Sequence, residues 1–215
     1  MTMDAHRTKH GAARVRSLTD AAADMFLDQG YEAVSLDALI ARVGGSRRNI
    51  YSHFGGKEGL FIEVVTRLCA DLALPLEGLE ITSEGVKDTL TIFGSRLLEI
   101  VLQSRTLALH RLMIAEGQRF PELAQAIWQA GHDNAARILI PWIEHKQSNK
   151  QLRADLPAKD LAGQFVSLVV TEPQLRVLVG FIPGPCRSTE NAQIVERAVA
   201  LFLSGALIQK GGINA

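Results

Sequence analysis

The run Arg47-Arg48-Asn49-Ile50-Tyr51-Ser52-His53-Phe54 carries six hydrogen-bonding side chains in eight residues, with Lys57 just beyond. At roughly 100° per helical residue, Ile50 and Phe54 share one side. Arg48 and Ser52 then point the opposite way, with Asn49 on one flank and Arg47 and Tyr51 on the other. Arginine donates bidentately to guanine, and asparagine matches adenine. Tyr51 and His53 suit phosphate oxygens, which fix register without reporting sequence. Lys57, with the free N–H groups of a helix start, offers an anion site for a further phosphate. This is the chemistry of DNA reading rather than of bond making.

Such a helix reads DNA only if other elements hold it. Ser46 is placed to cap it, and Gly44-Gly45 separates it from a preceding short helix whose Leu36, Leu39, Ile40 and Val43 form a complete i, i+3, i+4, i+7 stripe. Ser35 suits the N-cap of that earlier helix, with Asp37 in the acid-favouring first turn. Upstream, Ala12 opens a helix with Leu18, Ala22, Met25 and Phe26 on one face, ending at Gly30, behind which Tyr31 can fold back on Phe26. Gly55-Gly56 stops the reading helix, and Lys57 begins a longer one to about Leu74. Two short helices joined by a glycine turn and packed on a longer first helix describe a helix-turn-helix.

The remainder also reads as helix: Glu84–Gln103, Thr106–Gly117, Pro121–Ser148, Ala158–Gly180 and Asn191–Gln209. Pro141 and Pro173 fall inside these patterns, where kinks or breaks are expected. Sustained period-2 alternation is absent, so the fold class is all-α. The expected organisation is a mobile basic arm over 1–11, a helix-turn-helix domain over 12–57, and a helical effector-binding and dimerisation domain over 58–215. The helix from Lys57 bridges the two domains in place of a flexible linker.

Composition narrows the partners. The 215 residues are 47% hydrophobic, enough for a substantial core, and Lys plus Arg balance Asp plus Glu at 23 each. The bases cluster at the N-terminus and at Arg47–Lys57. No segment approaches the ~18 apolar residues of a membrane span, and the polar, basic start does not read as a signal peptide. A cytoplasmic protein without a membrane partner is expected. Cys69 and Cys186 read as free thiols; the six histidines lack metal-site spacing. Neither a metal nor a cofactor is expected.

The text AAADMFLDQGYEAVSLDALIARVGGSRRNIYSHFGGKEGLF resembles the DNA-binding domain of the tetracycline-repressor (TetR/AcrR) family, from about Leu18 to Val65. The elements F-x-x-x-G-Y-x-x-x-S and I-Y-x-H-F-x-x-K-E-x-L carry the likeness. It implies base contacts from Arg47, Arg48 and Asn49, and backbone contacts from Ser35, Tyr51, His53 and Lys57. Ser46 and Ser52 complete the expected DNA-binding set. Gly45 stands where the family usually has a small apolar residue, and Gly56 where it usually has a polar N-cap. Softer packing of the reading head is therefore expected, with no loss of a DNA-contacting group. The paired arginines suggest a guanine-containing half-site.

Leu109 to Gly131, LHRLMIAEGQRFPELAQAIWQAG, resembles the C-terminal domain of the AefR-like branch of that family. The likeness implies a homodimer through the last two helices, a pseudo-palindromic double-stranded operator and a small-molecule effector. Phe93, Met113, Phe120, Trp128 and Phe165, with the polar His110 and Glu172, are the candidate pocket residues, and each also reads as ordinary core or surface. A small hydrophobic or amphiphilic effector fits them. Two other readings stand beside this one. An enzyme lacks a nucleophile–base motif, a P-loop or a dinucleotide fingerprint here. A helical ligand carrier or interaction protein would have a non-functional DNA head, against which the outward set at Arg47–Lys57 argues.

Overall fold

Serines begin the two short helices as expected. Ser35 Oγ accepts the Ala38 N–H at 3.1 Å, and Ser46 Oγ accepts the Asn49 N–H at 3.3 Å. Each bond satisfies one of the donors that a helix start leaves unpaired. The computed structural model describes residues 3–78, 81, 85–182 and 188–206, with side chains given from Val15 and, in the last stretch, from Glu190.

The first part comprises α1 (Met3–Ala33), α2 (Leu36–Val43), α3 (Arg47–Phe54) and α4 (Lys57–Glu77). Helix α1 is interrupted at Gly30, whose φ of 80° and ψ of 173° end the regular helix where the sequence places its stop. At its other end α1 begins at Met3, so the segment expected to be an arm is helical backbone from that residue. Nothing between Asp4 and Arg14 breaks a helix strongly: proline is absent, and two alanines follow Gly11.

There follow α5 (Val86–Val101), α6 (Ser104–Glu116), α7 (Pro121–Trp128), a π-helical turn (Gln129–Asp133), α8 (Asn134–Ser148), α9 (Ala158–Leu178) and α10 (Ser188–Ala206). No strand is assigned among the described residues. The helices run without a break through Pro141 and Pro173, where kinks or breaks were expected. Apolar side chains on both sides of each proline are buried, namely Leu139 and Ile143 around Pro141 and Val169 and Val177 around Pro173. Their packing outweighs the one hydrogen bond that each proline removes. The interruption falls instead at the π turn, where the Trp128 ring stacks on His132 with centroids 4.4 Å apart. Neither Glu84, Gln209 nor the Cys186 loop lies among the described residues.

The chain forms two compact units, one of residues 1–70 with 108–127, the other of 71–107 with 128–215. In the first, α1 and α4 bury Phe26 and Phe61 completely, and α2 and α3 each insert one aliphatic anchor, Leu39 and Ile50. Tyr31 and Phe120 join Phe61 in an aromatic cluster, with ring centroids 4.8 to 5.1 Å apart. In the second unit, Phe165 of α9 lies 5.2 Å from Phe202 of α10 and 6.5 Å from Phe93 of α5. Gly94 allows α5 its close approach there: a Cβ at that position would meet Val195 at 3.1 Å.

Candidate nucleic-acid interface

Ile50 is 1% exposed and anchors α3 to its unit, with Phe54 half-buried beside it. Every other side chain of α3 is exposed: Arg47, Arg48, Asn49, Tyr51, Ser52 and His53. The division follows from helical spacing. One buried position in eight suffices because the C-terminal end of α3 runs directly into α4. There Gly59 lies so close to the Phe54 carbonyl oxygen that a Cβ would stand 1.7 Å from it. A residue other than glycine at 59 cannot keep that junction, and with it the presentation of α3.

The six exposed groups are not equally free. Arg47 is held by Asp37 of α2: Nε donates to Oδ1 at 2.8 Å and Nη2 pairs with Oδ2. The hydrogen bond from Arg47 keeps the Asp37 carboxyl below its ordinary value, and the guanidinium is correspondingly raised. Arg48 makes no hydrogen bond or ion pair with a described residue. His53 Nδ1 lies 2.9 Å from the Asn49 carbonyl and 3.2 Å from Ser52 Oγ, which itself donates to that carbonyl at 3.0 Å. These bonds fix the imidazole against the helix and leave Nε2 as its outward atom.

Lys57 opens α4. Its Nζ donates to the Glu32 carbonyl at 3.1 Å and lies 4.3 Å from the Tyr31 ring centroid. Tyr51 is 58% exposed, and its ring rests against Gly56, where a Cβ would come within 3.3 Å. Gly56 is thus more than a weakened cap, because it supplies the flat seat for Tyr51. Beneath α3 lies a cavity of about 240 Å³ lined by Leu18, Val43, Gly45, Asn49, Ile50 and His53 among others. It adjoins the position where a side chain was expected to be missing. Gly45 has φ of +114° and no atom within 4 Å of where its Cβ would be.

The pocket candidates separate. Phe93 and Phe165 meet in the core of the second unit. Met113 and Phe120 are buried in the first, with His110 half-buried on the same stretch. Trp128 is exposed against His132, and Glu172 is exposed in an ion pair with Arg176 at 3.0 Å. On α9 and α10, the helices expected to pair two copies, many apolar residues are intramolecular core: Phe165, Val169, Val177, Val195, Val199 and Phe202. Leu168 and Leu201 are among the exposed apolar residues of these helices, at 41% and 67%, and line a groove with Glu172, Arg176, Glu190 and Arg197.

Residues that the sequence reading passed over include Asp37 as the holder of Arg47, and Glu32, Tyr31 and Arg119 around Lys57. Ten positions separate Arg47 from Asp37 and 87 separate Arg119 from Glu32, so no helical spacing announces either pair. Among the described residues, no group of three or more His, Cys, Asp or Glu could hold a metal ion, and no helix is long and apolar enough to cross a membrane.

Residues 18–64 match the family described as bacterial regulatory proteins, tetR family. Residues 88–205 match the C-terminal domain of AefR-like transcriptional repressors, a stretch covering more than half the chain. The chain belongs to the TetR family. It is a DNA-binding transcriptional regulator of the repressor class. The HTH-type transcriptional regulator SrpR of Pseudomonas putida is 24% identical over 201 residues, covering 92% of this chain and 88% of that one. A TetR-family regulator from Mesorhizobium loti shares the fold, with a TM-score of 0.79 and 21% identity over 92% of this chain and 98% of that one. The flavonoid-responsive regulator FrrA is also similar, with a TM-score of 0.74 and 25% identity over 93% of this chain and all (100%) of that one. Proteins of the TetR family bind DNA operators and act as dimers with small-molecule effectors.

Proposed function

We propose that this TetR-family regulator represses from a pseudo-palindromic operator and is released by a small hydrophobic or amphiphilic effector. Residues 12–57 form its DNA-binding part and 58–215 its sensing and dimerising part, with no enzymatic role and with the cytoplasm as its place of action. Arg47, Arg48 and Asn49 read bases in the major groove. Ser35, Ser46, Tyr51, Ser52, His53 and Lys57 hold the backbone.

The observation that carries this reading is the surface of α3, which buries one residue fully and turns six hydrogen-bonding side chains to solvent. A solvated charged helix would have little reason to be capped, seated and joined to α4 through a glycine that admits no substitute. Two half-sites about one DNA turn apart need two reading helices related by symmetry. The exposed Leu168–Leu201 groove supports pairing through α9 and α10. An aromatic or amphiphilic effector is supported by the flavonoid response that the name of the similar regulator FrrA records. Helix α4 starts at Lys57 and continues past Ala70 into the second unit, which suits it as the lever for release. A ligand preferring one arrangement of the heads must change DNA affinity reciprocally.

An electrophoretic mobility-shift assay on the DNA upstream of its own coding sequence tests this. Sequence-specific binding that weakens linearly on a log–log plot against salt is expected. Binding to no sequence better than to random DNA would overturn it. A thermal-shift screen of aromatic and amphiphilic compounds should return a stabilising effector by mass action, and that compound should release the DNA.

A further inference from the structure

Lys57 faces a potential competitor for the phosphate it is assigned. Glu32, whose carbonyl accepts from Lys57 Nζ at 3.1 Å, carries a carboxylate on the same residue. A free Glu32 carboxylate turned toward Lys57 would draw the ammonium into an ion pair and reduce the positive charge offered to DNA. In the structure that carboxylate is paired elsewhere. Arg119 Nη1 is paired with Glu32 Oε1, and the guanidinium lies 4.5 Å from the centroid of the Tyr31 ring, over which Lys57 also sits. Both cations share one buried ring, and the carboxylate is taken by Arg119.

Arg119 is itself firmly placed. It stands at the corner between α6 and α7, where the Arg119 and Phe120 N–H groups both donate to the Glu116 carbonyl at 2.9 Å. Phe120 then buries its ring against Tyr31 and Phe61. A residue far along the chain is in this way brought to the phosphate-side edge of the reading head.

We infer that Arg119 is a positioning residue for DNA binding: it occupies Glu32 so that Lys57 keeps its charge for a phosphate. The inference rests on the proposed assignment of Lys57 to the DNA backbone. It also makes the α6–α7 corner a point at which a shift of Arg119 would weaken operator binding, with Lys57 itself unaltered.

Operator affinity and its salt slope, measured by fluorescence anisotropy on the full-length protein, test this. Lys57→Ala should lower the slope by about 0.9, the loss of one phosphate contact. Arg119→Ala should weaken binding by roughly two- to fivefold, the scale of one exposed ion pair, and lower the slope in the same direction. Arg119→Ala combined with Glu32→Gln should restore both, because the competing carboxylate is then gone. A purely structural role for Arg119 predicts no such rescue. Wild-type affinity and slope for Arg119→Ala, or a loss that persists with Glu32→Gln, would overturn the inference. An unchanged slope for Lys57→Ala would instead remove the phosphate assignment beneath it. Arg119→Gln, which keeps a flat side chain over Tyr31 without the charge, provides the same comparison should the alanine variant fold poorly.

Discussion

Arg47 of the reading helix is clasped by Asp37 of the preceding helix through two guanidinium nitrogens, Nε to Oδ1 at 2.8 Å and Nη2 to Oδ2. Both side chains are 65% exposed, so the pair lies in water at the surface expected to meet DNA. An arginine so held presents a fixed fork, but a carboxylate stands beside any phosphate or base edge it approaches. The pair makes Arg47 and Arg48 unequal, although sequence places them side by side.

Asp37→Asn removes the carboxylate and leaves Arg47 free to turn toward the groove. Operator binding should tighten by at most several-fold, because an exposed ion pair contributes little, as read by mobility shift at fixed salt. The hydrogen bond from Arg47 keeps Asp37 below 3.8. Its stabilising effect is therefore present above that value and is lost only as pH falls through the lower folded one. Wild-type affinity should show no contribution from Asp37 titration across the neutral range.

Arg48→Ala should cost roughly 1–3 kcal/mol of operator affinity and relax specificity at one base-pair position. His53→Ala should weaken all DNA sequences alike, since a backbone contact carries no sequence information. Binding to a panel of single-base operator variants separates the two patterns.

Phe120→Ala should destabilise the fold by about 3–5 kcal/mol, the usual cost of emptying a large aromatic site. Phe120 is 3% exposed and packs on both Tyr31 and Phe61. Thermal unfolding without any effector measures this, and an unchanged midpoint would remove Phe120 from the core of the first unit.

Leu168→Glu and Leu201→Glu should shift the protein toward monomer in sedimentation velocity, each placing a charge where an apolar side chain awaits a partner. Operator affinity should fall with the dimer, because one reading helix then meets one half-site. A dimer unaffected by both changes would direct the search to another face.

Burial raises the Cys69 thiol to about 11. Only the thiolate reacts, so at neutral pH this thiol should resist a disulfide reagent in the folded protein and react once unfolded. Labelling a Cys186→Ser variant with and without denaturant reads Cys69 alone.

The reading head was legible because its information is local. Ser35 and Ser46 cap the residues three positions on, Gly30 breaks its own helix, and Ile50 marks the buried side of eight residues. Each of these relations spans a helical turn or less, and each appears in the structure where the sequence places it. The relations that set the state of the charged groups are not local. Asp37 reaches Arg47 across the turn, while Arg119 reaches Glu32 from the far side of the chain, and chain spacing encodes neither. The pocket candidates were chosen as bulky or polar residues in helices, a property that core and pocket share. Phe93 and Phe165 come together, whereas Phe120 proved to be cemented into the aromatic cluster of the head. Pro141 and Pro173 leave their helices unbroken for a related reason: a proline weakens a helix locally, but the packing that outweighs it comes from elsewhere in the fold.

The membership of residues 108–127 in the first unit has a practical meaning for anyone recombining regulators. Exchanging heads between proteins at a single crossover after the reading helix, or even after Ala70, would leave a graft without its native Phe120 and Arg119. The hybrid would then carry a foreign corner against Tyr31 and Glu32. A chimaera meant to keep its donor's operator preference should be cut twice, carrying both stretches across together, and natural exchange of sensing domains would meet the same obstacle.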